Sequence, residues 1–272
     1  MVLTTIICSA SSVTLLYIEK SAIFTVTMEL TYTKVRTGIP GFDTIISGGL
    51  REGRSIVICG PPGSGKTTFG LQYLYSGAKD FDEPGVYVTL SQSADEIHKD
   101  CKSFGWDIRE LMEQGKLLII DVRPFKLENE IVTLDESLYR GESVPFEHLT
   151  QLILSGIKRV DAKRLVVDSL TVLAMQYSNK FYMRQGMQGL VQALEDHNCT
   201  SLLITEQPQQ GLIPIEWYVA SGIVMMDHVR KEDTMDRTIQ VLKLRGVRHD
   251  DQIFPIKLEN DGLKVLHPKL TT

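Results

Sequence analysis

The chain has 272 residues, long enough for one large α/β domain with a deep core and no need of a second. Its formal net charge of −5 and pI near 5.7 lack the basic excess of proteins that grip nucleic acid chiefly by its phosphates, which makes nucleic acid a second-line partner. The four cysteines, Cys8, Cys59, Cys101 and Cys199, make no Cys-x-x-Cys pair and no Cys/His cluster of metal spacing, so the sequence reads as that of a protein of a reducing, cytoplasmic setting.

Residues 1–27 differ from all that follows. They are apolar but interrupted by Ser and Thr, and no Lys or Arg occurs before Lys20, which fits neither a secretory signal nor a spanning helix. Met28 opens a more ordinary start, so 1–27 is read as a poorly packed or mis-assigned extension and 28–272 as a single domain. From Thr37 the text Thr-Gly-Ile-Pro-Gly-Phe-Asp43 punctuates a short helix with turn residues, a lead-in laid against a sheet edge.

The apolar run Ser55 to Cys59 predicts a buried strand, and it breaks into Gly60, Pro61, Pro62, Gly63, Ser64, Gly65, Lys66, Thr67 and Thr68. This matches Gly-x-x-x-x-Gly-Lys-[Ser/Thr] without a mismatch, and a helical stretch follows with Phe69, Tyr73 and Ser76 on one face. A loop wrapping a polyphosphate needs positive φ and bare N–H groups, hence the glycines. Lys66 would reach the β- and γ-phosphates, Thr67 would hold Mg²⁺, and the helix N-terminus would face the anion.

Strands and helices then alternate. Val86–Leu90 is a predicted strand, Asp95–Phe104 a polar helix and Lys116–Asp121 another strand. Residues 122–145 are acidic and irregular, read as a solvated insertion. A helix over about 146–159 precedes the strand Arg164–Asp168, and Met183, Met187, Leu190, Val191 and Leu194 form a helical core stripe before the strand Ser201–Glu206. Four short late strands, from Gly222 onward, carry no helices between them. The expectation is a mostly parallel central sheet with helices on both faces and an antiparallel C-terminal extension. Asp168, closing a buried strand, is the second acidic group such a site needs to hold Mg²⁺ through its water shell.

Beyond this the resemblance is specific. Arg36-Thr-Gly-Ile-Pro-Gly-Phe-Asp43, Gly48-Gly-Leu50, Gly65 to Ala78 in the loop and helix, Glu83 to Thr89, Phe104 to Asp107, Val167-Asp-Ser169, Leu203 to Glu206 and Lys243-Leu-Arg-Gly246 stand in family order, and over about 34–266 the sequence resembles a KaiC-type ATPase domain of the RecA/RadA superfamily. The resemblance implies a RecA-like P-loop core that binds ATP with Mg²⁺ and assembles as a homo-oligomer, commonly a hexameric ring, with ATP at the subunit interfaces. It also implies that Lys243 and Arg245 reach the γ-phosphate of a neighbouring subunit. Read without the family, they are same-face charges on an alternating strand.

One departure matters. After Thr89 the family usually places two adjacent glutamates, one of which activates the attacking water, whereas this chain has Leu90-Ser91-Gln92. Gln92 can orient a water but cannot take its proton, and Asp95 and Glu96 lie one helical turn on. The expected function is therefore an ATP-binding, ring-forming switch with weak or no hydrolysis, read by a signalling or regulatory protein. The alternatives are an active Mg-dependent ATPase and a single-stranded DNA accessory of recombination or repair. For the last, the loops at about 170–184 and 207–220 offer Tyr177, Lys180, Phe181, Tyr182 and Arg184 in the first but no basic residue in the second.

Overall fold

Alternation of apolar residues along single strands divides the main body into two cores. In the computed structural model, which describes residues 2–8, 12–19, 22–29, 32–123, 146–176, 180–207, 214–231 and 234–267, strand β6 (Ser55–Gly60) turns Ile56 and Ile58 to one face and Val57 and Cys59 to the other, all buried. Such a strand belongs in the middle of a sheet covered on both sides.

Two units are distinguished. In Met1–Lys34, strands β1 (Val2–Cys8), β2 (Ser12–Glu19) and β3 (Ala22–Glu29) form a three-stranded antiparallel sheet. In Val35–Thr272, β7 (Gly85–Thr89), β8 (Leu117–Asp121), β9 (Arg164–Asp168), β10 (Thr200–Glu206), β11 (Gly222–Lys231), β12 (Thr234–Leu244), β13 (Ile253–Glu259) and β14 (Gly262–Val265) join β6 in the order β14-β13-β12-β11-β6-β10-β9-β7-β8. From β8 to β11 the pairings are parallel; from β11 to β14 they are antiparallel. Two short strands, β4 (Lys34–Val35) and β5 (Leu50–Arg51), make a separate ribbon.

Helices α1 (Phe42–Ile45), α2 (Lys66–Asp80), α3 (Ala94–Ser103) and α4 (Ile108–Glu113) contribute to one core. The other is built by α5 (Phe146–Val160), α6 (Leu170–Gln176), α7 (Lys180–Asp196) and α8 (Ile215–Val219). The stripe Met183, Met187, Leu190, Val191 and Leu194 is buried there, as its spacing predicts. The α/β expectation with an antiparallel C-terminal extension holds.

The differences lie in short helices. The stretches read as loops at 170–184 and 207–220 contain α6, the start of α7, and α8, because Leu170 and Leu173 dip into the second core and Pro214 leads into a helical turn. Helix α4 was also unforeseen: Asp107 caps it by accepting from the N–H groups of Arg109 and Glu110, and Ile108 and Leu111 are buried. The acidic stretch at 122–145 falls, from residue 124 on, outside the described residues.

Two clasps fix the helix that follows the glycine loop. On α2, the Gln72 amide donates to the Leu263 carbonyl at 3.1 Å and accepts from the Leu263 N–H at 2.7 Å, tying the helix to β14. At the next residue along the helix, the guanidinium of Arg164, fully buried, donates to the carbonyl of Tyr73 at 2.8 Å, and also to that of Arg36 at 2.7 Å and to Glu83 at 2.6 Å. Gly77 is glycine because a Cβ there would meet the Arg164 side chain at 2.5 Å. The motif Thr37 to Asp43 is likewise architectural: the Asp43 carboxylate accepts from the Thr37 N–H and hydroxyl at 2.9 and 2.7 Å, closing the turn.

Candidate nucleotide site

The glycine loop leaves the C-terminal end of β6, the innermost parallel strand. Gly60 passes so close to β11 that a Cβ would lie 1.9 Å from the Met226 carbonyl, while Gly63 (φ 79°) and Gly65 (φ 100°) take left-handed conformations that a side chain disfavours. Gly65 caps α2, so the first N–H groups of a 15-residue helix open toward the loop. Pro61 and Thr68 are half-buried and Pro62 is exposed. The Ser64 hydroxyl is buried without a hydrogen-bond partner among the described residues. An orphaned donor inside a cradle of glycines is a feature a phosphate oxygen would satisfy.

Lys66 donates to the carbonyls of Gly60 at 2.8 Å and Pro61 at 2.9 Å. Burial lowers its pKa from the ordinary lysine value, opposed by the negative charges of Asp168 and Glu206. Thr67 donates its hydroxyl proton to Asp168 Oδ2 at 2.6 Å, so the two residues expected to share Mg²⁺ are adjacent. Their hard oxygen atoms suit that ion, which usually keeps several waters and phosphate oxygens among its ligands. The same Oδ2 accepts from the Tyr87 hydroxyl at 2.8 Å. Sequence reasoning missed Tyr87; the signal was its inward position on β7, whose register sets Thr89 beside Asp168. Burial keeps this phenol protonated, raising its pKa well above the usual value. The Cys59 thiol, under the loop, is pushed up to about 12 by burial and stays neutral.

Two further residues reach the loop from the β11–β12 hairpin. Arg237 donates from Nε to the Gly63 carbonyl at 2.9 Å, and the His228 ring lies 3.2 Å from where a Gly63 Cβ would be. They face each other across the hairpin. Nothing in their local sequence marks them, since antiparallel register alone carries them there.

Beside Asp168, the turn after β7 is held by the Leu90 N–H donating to the Asp168 carbonyl at 2.7 Å and by the Thr89 hydroxyl donating to the Gln92 carbonyl at 2.7 Å. The Gln92 side chain turns away, donating to Asp100 at 3.2 Å. Glu96 is committed as well. Its carboxylate accepts from the Ser93 N–H at 2.7 Å and hydroxyl at 2.8 Å in a capping box that starts α3, and those bonds hold its pKa below the ordinary glutamate value. The Ser93-Ala-Asp-Glu96 spacing carried that signal.

Lys243 and Arg245 lie elsewhere. The Arg245 N–H donates to the Ser221 carbonyl at 2.8 Å, and the Ser221 N–H donates to that of Ser55 at 2.9 Å, so the pair sits at the beginning of β6. The glycine loop leaves the other end of that strand, about 17 Å away at a strand's ordinary rise per residue. Lys243 donates to the Trp217 and Ala220 carbonyls at 3.0 and 2.8 Å, whereas Arg245 is exposed. Neither is brought to the loop of its own chain.

The family model described as "ATPase: KaiC" matches residues 35–270. The chain belongs to the KaiC family of ATPases. It is 34% identical over 236 residues to the circadian clock oscillator protein KaiC of Parasynechococcus marenigrum, covering 85% of this chain and 44% of the relative. The KaiC of Synechococcus elongatus gives the same 34% identity, 85% and 44% coverage. The chain thus spans less than half the length of these curated relatives. Among solved structures, a KaiC-like protein of the hyperthermophilic archaeon Pyrococcus horikoshii superposes with a TM-score of 0.75 at 30% identity, over 87% of this chain and 100% of that one. The domain is thereby a KaiC-like ATPase domain of the RecA superfamily, which supports ATP binding. No helix among the described residues is long and apolar enough to cross a membrane.

Proposed function

We propose that this KaiC-family domain binds ATP with Mg²⁺ at Gly60–Thr68 and serves as a ring-forming, nucleotide-dependent switch that turns ATP over slowly or not at all. The observation that carries this is the contrast within one site: the phosphate cradle and the Thr67–Asp168 oxygen pair are complete, while Gln92 and Glu96 are turned to other partners. Bound Mg²⁺ would supply charge neutralisation at the phosphates; Lys66 would bind them and Asp168 would orient the metal's water shell. Absence of a positioned base costs roughly 10²–10⁴ in rate while leaving affinity intact.

Ring assembly is supported by the placement of Lys243 and Arg245 at the end of the sheet away from the loop. There they would meet a nucleotide on another copy, and head-to-tail contact of this kind makes a ring where its rotation closes. A regulatory protein in the cytoplasm would then read the assembled state.

Purified protein with ATP and Mg²⁺ is expected to release phosphate slower, by roughly the factor above, than enzymes with a positioned base. Gln92→Glu is expected to raise the rate at least about tenfold: repulsion from Asp100 would turn the new carboxylate away from α3, and general-base catalysis exceeds that factor. Fast release by the wild type, measured with a coupled phosphate assay, would refute the switch reading and favour an active ATPase. The DNA-accessory reading draws on Arg184 and the exposed Phe181 and Tyr182, and salt-dependent retention on single-stranded DNA with ATP present would support it.

A further inference from the structure

Three elements converge on one oxygen of Asp168. Oδ2, at the end of β9, accepts from the Thr67 hydroxyl of α2 at 2.6 Å and from the Tyr87 hydroxyl of β7 at 2.8 Å, while the Asp168 carbonyl accepts from the Leu90 N–H at 2.7 Å. Oδ1 takes no hydrogen bond among the described residues and is left for a metal-bound water. The two hydroxyl donors differ in kind. Thr67 lies in the first turn of α2, and its oxygen is the one that the glycine-loop motif commits to Mg²⁺, so its bond to Asp168 must readjust when the ion arrives. Tyr87 meets neither loop nor solvent: its side chain is 1% exposed in the first core, two residues before Thr89, which pairs with Asp168 across the sheet. A hydroxyl in that core carries a desolvation cost that a phenylalanine of the same shape avoids, and the partner that offsets it is the carboxylate.

We propose that Tyr87 is a positioning residue that sets the metal preference of the nucleotide site: by holding Oδ2 from within the core, it fixes the orientation of the Asp168 carboxylate and so selects Mg²⁺ over Ca²⁺. The proposal rests on the reading that Asp168 faces the metal's water shell, and it adds a residue that lies outside both the glycine loop and the strand ending in Asp168. Mg²⁺ demands near-ideal octahedral geometry at short distances, whereas Ca²⁺ takes roughly six to eight oxygens in a flexible arrangement. A carboxylate locked in one orientation therefore favours the smaller ion, and one free to swing serves both. Of the two donors, only the phenol stays in place when Thr67 turns to the metal, because its ring is packed on all sides.

The test is titration calorimetry of the full chain with ATP in the presence of Mg²⁺, of Ca²⁺ or of a chelator. Tyr87→Phe is expected to weaken binding with Mg²⁺ about fivefold, within the range that one hydrogen bond carries, and to leave binding with Ca²⁺ and without divalent ion within about twofold of the wild type. A dependence on Mg²⁺ remains, since the charge of Asp168 is intact. In the Asp168→Asn background, adding Tyr87→Phe should weaken binding with Mg²⁺ by less than about twofold, because the carboxylate that the phenol orients is gone. The variant keeps the ring and its packing, and thermal unfolding without nucleotide checks that the fold is kept too. Equal losses under all three conditions would make Tyr87 a packing residue and overturn the proposal, as would equal losses with Mg²⁺ and Ca²⁺. If Asp168→Asn abolishes the Mg²⁺ dependence while Tyr87→Phe binds like the wild type throughout, the proposal falls and the metal reading of Asp168 stands. If Asp168→Asn also keeps the wild-type Mg²⁺ dependence, both fall.

Discussion

Replacing Arg164 by alanine is expected to lower the unfolding free energy by about 3–5 kcal/mol, the range for breaking a buried ion pair from one side. The change removes three hydrogen bonds at once, takes the guanidinium donor from the Arg36 and Tyr73 carbonyls and opens a cavity where the side chain lay against Gly77. It also removes a cation stacked 4.5 Å from the Tyr73 ring. Glu83→Gln keeps the shape and leaves the guanidinium two carbonyl partners, and Glu83 is half-buried, so its cost should be smaller, about 1–2 kcal/mol. Urea unfolding of both variants checks the order. A loss under 1 kcal/mol for Arg164→Ala would show that the guanidinium is not the pin between the lead-in turn and α2.

The second large effect is expected at Asp168. Asp168→Asn keeps the volume but removes the charge that accepts from Thr67 and Tyr87 and that the metal's water shell would face. Affinity for ATP with Mg²⁺ should fall roughly 10- to 100-fold, as hydrogen bonds to a charged group contribute about 1.5–3 kcal/mol, while affinity for ATP alone changes little. Titration calorimetry with and without Mg²⁺ separates the two. Equal Mg²⁺ dependence in wild type and variant would exclude Asp168 from the metal site. Tyr87→Phe serves as a comparison: it removes one donor and leaves the charge, so the Mg²⁺ dependence should persist.

The parts of the molecule legible in the sequence were those whose cause is local. Ile56-Val-Ile-Cys59 announces a strand buried on both faces because every side chain is apolar, and the glycine loop carries its own signature in spacing. Asp168 was legible because a charge ending an apolar strand has few reasons to be there. What stayed hidden depends on register or on distance along the chain. Arg164 reads as an ordinary strand start, and nothing near it announces Glu83 or Arg36. Arg237 meets Gly63 only because β11 and β12 pair as they do. Glu96 lies between the two cases: Ser93 three residues before it spells a capping box, and that local fact commits its carboxylate to the start of α3.

The paired clasps on α2 bear on how the loop can respond to its ligand. Held at mid-length by Leu263 through Gln72 and by Arg164 through the neighbouring Tyr73 carbonyl, the helix is tied to β14 and β9 and resists sliding toward an arriving nucleotide. Accommodation then falls to the loop itself, where Lys66 exchanges the Gly60 and Pro61 carbonyls for phosphate oxygens and Thr67 releases Asp168. In mechanical terms the helix is an anvil. Nucleotide arrival would then be registered by side chains that change partners, against a backbone that β11 crowds so closely at Gly60 that no Cβ fits beside the Met226 carbonyl.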